Sequence, residues 1–355
     1  MILAGQKTRS IWLNPDGWSV GIFDQRRLPW AIEPMRLTTM ESCARAIADM
    51  ATRGAPLIGA VAAYGIALAL RADASDESLD RAFDRLVSTR PTAVNLRWAL
   101  DRVRTAVTRL PEAERATGAY TEAGAICDED VEVNAAIGRA GLEILRSLAD
   151  ANPGRPINIL THCNAGWLAT VDWGTATAPI YMAHDLRIPL HVWVDETRPR
   201  NQGALTALEL AAHGVPHSYI VDNAGGLLMQ RGQVDLVLVG TDRVTRNGDV
   251  CNKIGTYLKA LAAHDNGIPF IVALPSSTYD AATPDGSAVE VEERSSDEVR
   301  WLDGPDADGM MRRISVTLSP AANPAFDITP ARLVTAYITE RGRIDDAIGL
   351  ATAFA

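Results

Sequence analysis

Polar residues that could do chemistry follow four successive short apolar segments in the second half of the sequence. They are residues 161–166 (THCNAG), 195–203 (DETRPRNQG), 222–223 (DN) and 240–243 (GTDR). In an open parallel α/β sheet, ligands bind beyond the carboxyl ends of the strands. One Asp, Asn or Thr at such a position is usually a helix cap. Four such segments in succession instead favour a site where a thiol, several carboxylates and at least one arginine meet.

Cys163 is the candidate reactive thiol of this set. A lone cysteine is by default a small buried hydrophobe. The predicted strand-to-helix turn at residues 161–166 would, however, place its sulfur near helix-terminal amide groups, which favour the thiolate. The neighbouring His162 is expected to point to the opposite face of the strand end, so the sequence does not indicate a Cys-His pair for acyl transfer.

The segment Arg53-Gly54-Ala55-Pro56 is typical of a helix start that can bind an anion. The glycine permits a close backbone approach, the proline suits the first helical turn, and the free amide groups beyond it face any negative charge. Arginine adds a forked grip on phosphate. A plain turn between two helices explains these four residues equally well. The sequence has no GxGxxG after a strand and no GxxxxGK[ST], so neither a nicotinamide cofactor nor bound ATP is supported.

Composition and charge exclude several classes of protein. The chain has 355 residues, of which 47% are apolar and 22% charged, and its net charge is −10, so wholesale binding to nucleic acid is not expected. Its four cysteines are widely spaced, which indicates a reducing, cytoplasmic environment. We find no targeting segment. The apolar residues 57–70 are shorter than the roughly 18 to 20 residues that a bilayer crossing needs, so they predict a buried helix and no membrane association.

The amino-terminal part of the chain is predicted to contain a short antiparallel sheet followed by helices. Alternating apolar residues around Pro15-Asp16-Gly17 predict a β-hairpin over residues 10–22, and a third strand is expected at 31–37. Thr38 and Glu41 have the spacing of a capping box for a helix that ends near Met50. Helical patterns follow from Pro56 and over residues 79–86, 96–110 and 131–148.

The sequence pattern changes after Asn152-Pro153-Gly154, where short apolar runs begin to alternate with segments of helix length. Strands are predicted at residues 157–160, 190–194, 218–221, 236–239 and 270–274, with crossover helices such as 204–213 and 252–263 between them. Residues 284–308 are predicted to form an exposed excursion. The fold class is therefore α/β: a doubly wound, mostly parallel Rossmann-like sheet forms the carboxyl-terminal domain (153–355), and a smaller domain (1–152) precedes it.

Several of these segments together resemble the methylthioribose-1-phosphate isomerase family. The resemblance runs from the amino-terminal hairpin to Thr339-Glu340-Arg341-Gly342, over nearly the whole chain. The regulatory subunits of the eukaryotic translation-initiation nucleotide-exchange factor share that fold, but they are not expected to keep the cysteine and aspartate of the isomerase motifs. The segments that carry the resemblance are RGAP (53–56), NLR (95–97), THCNAG (161–166), DETRP (195–199), GTDR (240–243), NGDVCNKIGTY (247–257) and NPAFDITP (323–330).

The resemblance implies interconversion of 5-methylthioribose 1-phosphate and 5-methylthioribulose 1-phosphate by a homodimer, without a metal or an organic cofactor. It implies that Cys163 and Asp242 are the catalytic pair. The residues that fall where the family binds the phosphosugar are Arg53, Gly54, Ala55, Arg97, Gln202, Asn252 and Lys253.

The implied reaction explains why an acid and a second group are needed. Phosphate on the anomeric oxygen locks the sugar as a ring, so the ring must open before hydrogen can move. Asp242, kept protonated by burial, could donate a proton to the ring oxygen. Hydrogen then moves from C2 to C1, either as a proton carried by a base such as the Cys163 thiolate or as a hydride in a water-free pocket. The sequence leaves both routes open.

Two departures from the family pattern concern the 5-substituent. Residues 204–210 are one residue shorter than usual and have leucine where tryptophan is expected, and Trp167 and Trp173 follow the cysteine motif where many relatives differ. They make 5-deoxyribose 1-phosphate a second candidate substrate. A ribose-1,5-bisphosphate isomerase would need a further cationic subsite, and the two tryptophans argue against it. A non-catalytic sugar-phosphate sensor would need neither the thiol of Cys163 nor the acid of Asp242.

Overall fold

Short antiparallel strands begin the fold in the computed structural model, which describes residues 1–3, 5–90 and 93–354. Strands β1 and β2 pair with each other, and β3, β4 and β5 form a three-stranded sheet. The predicted hairpin and the third strand are thus confirmed, because β3 and β4 flank the Pro15-Asp16-Gly17 turn. The strands are β1 (Ile2–Leu3), β2 (Gln6–Lys7), β3 (Ile11–Leu13), β4 (Val20–Phe23) and β5 (Pro34–Leu37).

Five helices follow this sheet. The capping box of the first is formed by Thr39 and Ser42 rather than by the predicted pair, so the helix begins one residue later than Thr38 would require. The fifth is a single helix of 40 residues, and it begins well before the predicted residue 131 because its first half is rich in alanine and carries a weak apolar period. The helices are α1 (Met40–Ala48), α2 (Ala55–Ala72), α3 (Asp76–Val87), α4 (Val94–Thr108) and α5 (Glu112–Ala151).

Helix α2 forms the centre of the amino-terminal core. Among the described helices it alone has the length and apolar composition that a membrane span requires, and 72% of that stretch is buried inside the protein. It packs against α1, α4 and the first half of α5, so the predicted buried helix is confirmed. The second half of α5 packs against the following part of the chain, and the division into domains at residue 152 stays a prediction.

A seven-stranded sheet in the order β18-β17-β12-β9-β6-β7-β8 forms the second half. All its pairings are parallel except that of β17 with β18. The five predicted strands are all present, and helices connect them across both faces. The elements are β6 (Ile157–Thr161), α6 (Thr177–Asp185), β7 (Leu190–Asp195), α7 (Gln202–His213), β8 (His217–Ile220), α8 (Ala224–Gln230), β9 (Leu236–Val239), β12 (Phe270–Ala273), β17 (Ala336–Thr339) and β18 (Gly342–Ile344).

A smaller sheet in the order β13-β10-β11-β16 lies beyond the carboxyl end of β9. It corrects one prediction, because Asn252 and Lys253 belong to strand β11 and the helix predicted from residue 252 begins only at Thr256. Residues 284–308 are exposed for much of their length, as predicted, and lead into a hairpin. These elements are β10 (Arg243–Thr245), β11 (Val250–Lys253), α9 (Thr256–Asp265), β13 (Tyr279–Asp280), α10 (Asp297–Arg300), β14 (Trp301–Pro305), β15 (Met311–Ser315), β16 (Phe326–Thr329) and α11 (Ala347–Ala353).

Candidate active site

A cleft lies where the carboxyl ends of β6 and β9 face the first turn of α2. It has about 700 Å³ of space between its walls, part of it open to solvent. The predicted convergence is present in part: residues 162–165, Gln202 and residues 240–242 line the cleft, whereas residues 222–223 do not, and Asp242 is the one carboxylate among the lining residues. Strand β11 of the smaller sheet closes one side. The predicted site residues that line the cleft are Arg53, Gly54, Ala55, Cys163, Gln202, Asp242, Asn252 and Lys253.

Gly54 fixes the distance between α2 and the loop after β6. It is the residue before the helix, with φ of 96°, a conformation that favours glycine. A Cβ at this position would lie 2.3 Å from the carbonyl oxygen of Ala169. Glycine thus lets the helix start pack directly on that loop, and the backbone amides of the first turn of α2 face the cleft.

Arg53 and Lys253 are two buried cations at the cleft. Each side chain is only 7% exposed, and neither lies within 4.0 Å of a carboxylate among the residues that the structure describes. The guanidinium of Arg53 donates to Asn164 Oδ1 at 2.5 Å, and Lys253 Nζ lies 4.4 Å from the ring centre of Phe326. Burial lowers the pKa of both groups. A buried cation without an anionic partner is costly, so these two favour binding of an anion.

Cys163 sits in a constrained turn at the end of β6. Its φ is 68°, which is uncommon for a residue with a side chain. The turn is fixed because the Cys163 N–H donates to Thr197 Oγ1 at 2.8 Å and the carbonyl accepts from Thr206 Oγ1 at 3.0 Å. The following element is a 3₁₀ turn over Trp167–Ala169, so the expectation that the turn leads directly into an α-helix is wrong, and the helix start on the same cleft is that of α2.

The resting form of Cys163 also differs from the expectation. Burial raises the pKa of its thiol, while the charges of Arg53 and Lys253 and the Asn164 N–H act in the opposite direction. The net direction is upward, so the thiol is protonated at neutral pH. The thiolate predicted from the sequence is therefore not the resting state, because desolvation of the sulfur outweighs the nearby cations.

Asp242 lies after β9 on the same cleft. Its backbone N–H donates to the carbonyl of Cys251 at 3.1 Å. Its carboxylate makes no hydrogen bond to the described part of the chain, and burial raises its pKa, although Lys253, Arg90 and Arg53 act in the opposite direction. Asp242 is half-buried, and a carboxyl group that no donor stabilises in its ionised form can carry a proton for transfer.

Two amide side chains complete the predicted set. Gln202 is the first residue of α7, is 3% exposed, and has no hydrogen-bond partner for Oε1 among the described residues. Asn252 on β11 is 4% exposed, and its Nδ2 donates to Thr256 Oγ1 at 3.1 Å. Buried polar atoms normally have partners, so the free oxygen of Gln202 can accept a hydrogen bond from a ligand hydroxyl.

His162 does not pair with the thiol beside it. Its Nδ1 lies 2.9 Å from Asp195 Oδ2, and its Nε2 lies 2.8 Å from the carbonyl oxygen of Ile254. Together with Asp222 these donors could hold a metal ion. Lys259 Nζ, however, lies 3.2 Å from Asp195 Oδ2 and already supplies a positive charge there. The cluster is therefore an ion-pair network that supports the end of β6.

The structure does not bring Arg97 into the cleft. Arg97 is exposed on the first turns of α4 and is not among the lining residues. The nearby Asn95 instead fastens this end of α4 to the loop beside the cleft: its Nδ2 donates to Ser277 Oγ at 2.8 Å and its Oδ1 accepts from Thr278 Oγ1 at 3.1 Å. The predicted phosphate contact of Arg97 would thus require α4 or the side chain to move.

Other lining residues were not predicted. Arg90 adds a third cation, although Glu292 lies 3.4 Å from its Nη2. Met50, with φ of 58°, and Phe326 supply apolar walls. Phe326 lies in the NPAFDITP segment (323–330), which carried the resemblance without an assigned role, whereas Arg90 and Met50 come from parts of the chain without a recognisable motif.

The departures from the family pattern lie outside the cleft. Trp167 is fully buried in the core beside Phe23, and Trp173 packs against the same core. Neither tryptophan lines the cleft, and within residues 204–210 none does so. The two tryptophans are therefore not placed to contact a 5-substituent. Ala204, Leu205, Ala207 and Leu208 line a second cavity that shares Met50, Arg53 and Gln202 with the cleft, so the link between this segment and the 5-substituent stays a prediction.

Comparisons with known proteins place the chain among well-defined relatives. Residues 51–346 match the Initiation factor 2 subunit family. The chain is 62% identical over 346 residues to the methylthioribose-1-phosphate isomerase of Rhodospirillum centenum, which covers 96% of this chain and 92% of the relative. It is 63% identical over 347 residues to the corresponding isomerase of Acidiphilium cryptum, with 96% and 94% coverage.

Solved structures agree with these relatives. The 5-methylthioribose 1-phosphate isomerase of Pyrococcus horikoshii matches with a TM-score of 0.84 at 39% identity, covering 98% of this chain and 96% of that one. A structure described as the delta subunit of translation initiation factor eIF-2B from A. fulgidus matches with a TM-score of 0.79, also at 39% identity, with 96% of each chain covered.

Proposed function

The chain belongs to the Initiation factor 2 subunit family, among its methylthioribose-1-phosphate isomerases, and from that premise we propose how its cleft performs the reaction. The enzyme is an aldose-ketose isomerase of methionine salvage that converts 5-methylthioribose 1-phosphate into 5-methylthioribulose 1-phosphate. The observation that carries the proposal is the position of two buried cations, neither paired with a carboxylate among the described residues, beside the carboxyl group of Asp242 and the thiol of Cys163.

The phosphate of the substrate binds between Arg53 and Lys253 at the start of α2. Both cations lack a carboxylate partner among the described residues, and the amides of Gly54 and Ala55 add donors at the positive end of the helix. Arg97 approaches the phosphate from α4 when substrate is present. Gln202 and Asn252 bind sugar hydroxyl groups on the opposite wall.

Asp242 opens the sugar ring. In its protonated form it donates to the ring oxygen while the bond from C1 to that oxygen breaks, and C1 becomes electron-deficient. Burial raises the pKa of Asp242, which favours the protonated acid that this step uses. The carboxylate that remains then accepts the proton of the 2-hydroxyl group as the ketone forms, so the acid is restored.

Hydrogen moves from C2 to C1 as a hydride. The C2–H bond migrates with its electron pair to the electron-deficient C1, and C2 becomes the carbonyl carbon. A Cys163 thiolate is not needed, and phosphate binding disfavours it further, because the bound dianion neutralises Arg53 and Lys253, the two cations that stabilise the thiolate. The neutral thiol lies against the reacting carbons and keeps water out.

The proposal extends to the cofactor requirement, the cellular compartment, the domain arrangement and the oligomeric state. Each step uses groups of this chain, with no metal or organic cofactor. All four cysteines are free, which suits a cytoplasmic enzyme. We place the active site between domains 1–152 and 153–355, and we propose that the enzyme acts as a homodimer without nucleic-acid or membrane partners.

A turnover assay with the purified protein tests this function. The substrates are 5-methylthioribose 1-phosphate, 5-deoxyribose 1-phosphate and ribose 1,5-bisphosphate, and the product is measured as ketose phosphate. We expect the methylthio compound to have the highest kcat/KM and the deoxy compound to be turned over less efficiently. Preference for the bisphosphate, or no turnover of any of the three, would contradict the proposal.

A further inference from the structure

A fully buried carboxyl group lies behind the phosphate-binding arginine. Glu209, on α7, is 0% exposed and does not line the cleft. Its Oε2 accepts a hydrogen bond from Asn164 Nδ2 at 2.9 Å, and its Oε1 accepts from the N–H of Leu168 at 2.6 Å. The other end of the same Asn164 amide accepts from Arg53 Nη2 at 2.5 Å. One amide group thus connects the carboxyl group to the guanidinium.

The orientation of Asn164 is fixed by three neighbours, Arg53, Glu209 and Thr206, whose Oγ1 also accepts from Asn164 Nδ2 at 3.1 Å. Arginine can only donate hydrogen bonds, so the oxygen of the Asn164 amide must face Arg53. Its nitrogen must then face Glu209, which accepts. A donor in place of the Glu209 oxygen would force the amide to turn and present its own NH₂ group to Arg53. The acceptors at residues 209 and 206 therefore keep the amide oxygen turned toward the guanidinium.

The loop at Gly166 packs tightly against the carboxyl group of Glu209. A Cβ on Gly166 would lie 1.6 Å from Glu209 Oε2, so glycine at 166 allows the loop to close over the carboxyl group. The Leu168 N–H belongs to the 3₁₀ turn whose last residue, Ala169, packs against Gly54. Glu209 thus binds both the Asn164 amide, which contacts Arg53, and the 3₁₀ turn, which contacts Gly54.

We propose that Glu209 is a positioning residue that orients Arg53 for the substrate phosphate through Asn164. This inference rests on the proposed function, in which Arg53 binds phosphate. The arrangement places a hydrogen-bond acceptor one amide away from the arginine, so the guanidinium is held through Nη2 while its other donors stay available to the phosphate. Burial raises the pKa of Glu209 to about 8, while the Leu168 N–H and the charge of Arg53 act against that rise.

A double-mutant cycle tests the proposal, with Glu209→Gln, Arg53→Met and the double variant assayed on 5-methylthioribose 1-phosphate. The Glu209→Gln side chain has nearly the same shape but brings a donor that conflicts with Asn164 or Leu168. We expect Glu209→Gln to raise KM about 10-fold or more with kcat changed by less than about threefold. In the Arg53→Met background the same change should raise KM by less than about twofold, because the arginine it positions is gone.

Controls separate positioning from general damage. Leu210→Ala, at the neighbouring fully buried position of α7, should lower the melting temperature and leave KM unchanged. If Glu209→Gln does not fold, Glu209→Asp, which withdraws the carboxylate by one methylene, should raise KM in the same way. An unchanged KM in the folded 209 variant, or equal KM effects with and without Arg53, overturns the positioning role. An unchanged KM in Arg53→Met alone overturns the phosphate assignment instead.

Discussion

The imidazole of His162 bridges the carboxylate of Asp195 and a backbone carbonyl, with Nδ1 2.9 Å from Asp195 Oδ2 and Nε2 2.8 Å from the oxygen of Ile254. Both ring nitrogens are therefore engaged away from the neighbouring thiol. Lys259 Nζ lies 3.2 Å from the same Asp195 oxygen. Lys259 and His162 thus contact one fully buried carboxylate directly behind the Cys163 turn, and His162 is unable to serve that thiol as a base.

Removing the charge of Asp195 should destabilise the fold. Asp195→Asn leaves Lys259 and His162 buried with an incomplete partner, which costs about 3 to 5 kcal/mol of unfolding free energy. Urea denaturation measures the change. The control is Glu77→Gln, because Glu77 pairs with Arg81 at 2.9 Å on the surface and that pair should contribute no more than about 1 kcal/mol. Equal stabilities of the two variants would show that the network is not an ion-pair cluster.

The phosphate assignment predicts an effect confined to binding. Lys253→Met removes a buried cation from the cleft and should weaken substrate binding by about 2 to 4 kcal/mol, measured as a rise in KM. Arg97→Met should give a smaller rise, because Arg97 reaches the phosphate only after movement of α4. Arg81→Met, on the surface of α3, is the matched control and should have wild-type kinetics. Wild-type KM values for Lys253→Met would remove this residue from the phosphate site.

The acid role of Asp242 predicts opposite effects on activity and stability. Its pKa is raised in the folded protein, so activity should fall on the alkaline side as the acid ionises. The folded state also holds this proton more tightly than the unfolded chain, so ionisation above the unfolded pKa lowers stability. Asp242→Asn should therefore lose turnover and gain thermal stability at neutral pH. A helix cap would show the reverse, with retained activity and lower stability.

The state of Cys163 can be measured by alkylation with iodoacetamide at a series of pH values. Because burial raises the thiol pKa, the alkylation rate should reach half its maximum at a pH above that of a free cysteine, about 8.5. Saturating inorganic phosphate should move this midpoint higher by neutralising Arg53 and Lys253. Restricted access slows alkylation without moving its midpoint, and Cys163→Ser supplies the background. A midpoint below that of free cysteine would contradict the resting thiol.

The sequence predicted the elements that have strong local signals. The parallel strands around residues 157–160 and 236–239 are continuous apolar runs, and the start of α2 has Gly54 and Pro56 at fixed places. These elements determine where Cys163, Asp242 and Arg53 lie. The sequence assigned Asn252 and Lys253 to a helix instead of strand β11. This strand is short, its residues show no alternation of polar and apolar side chains, and its partner β16 is far away in the sequence.

The features that the sequence did not predict depend on contacts between residues that are distant in the chain. Desolvation decides whether Cys163 is a thiol or a thiolate, and burial depends on the whole fold rather than on the residues next to the cysteine. Glu209 lies in an apolar helical segment with no motif. Its hydrogen bond with Asn164 forms only because the fold brings the loop around Gly166 against α7, far away in the sequence. Arg97 had a family motif in its favour, yet its helix leaves it exposed.

Hydrogen transfer during turnover in heavy water tests the central claim, that a neutral acid and a neutral thiol permit a hydride shift in this cleft. Unlabelled 5-methylthioribose 1-phosphate is converted in D₂O, and deuterium at C1 of the isolated product is measured by NMR. The hydride route predicts none at C1 at any extent of conversion, and substrate deuterated at C2 should deliver all its label to C1 in ordinary water. Deuterium from solvent at C1 would contradict the account, because it requires a base that exchanges its proton with water.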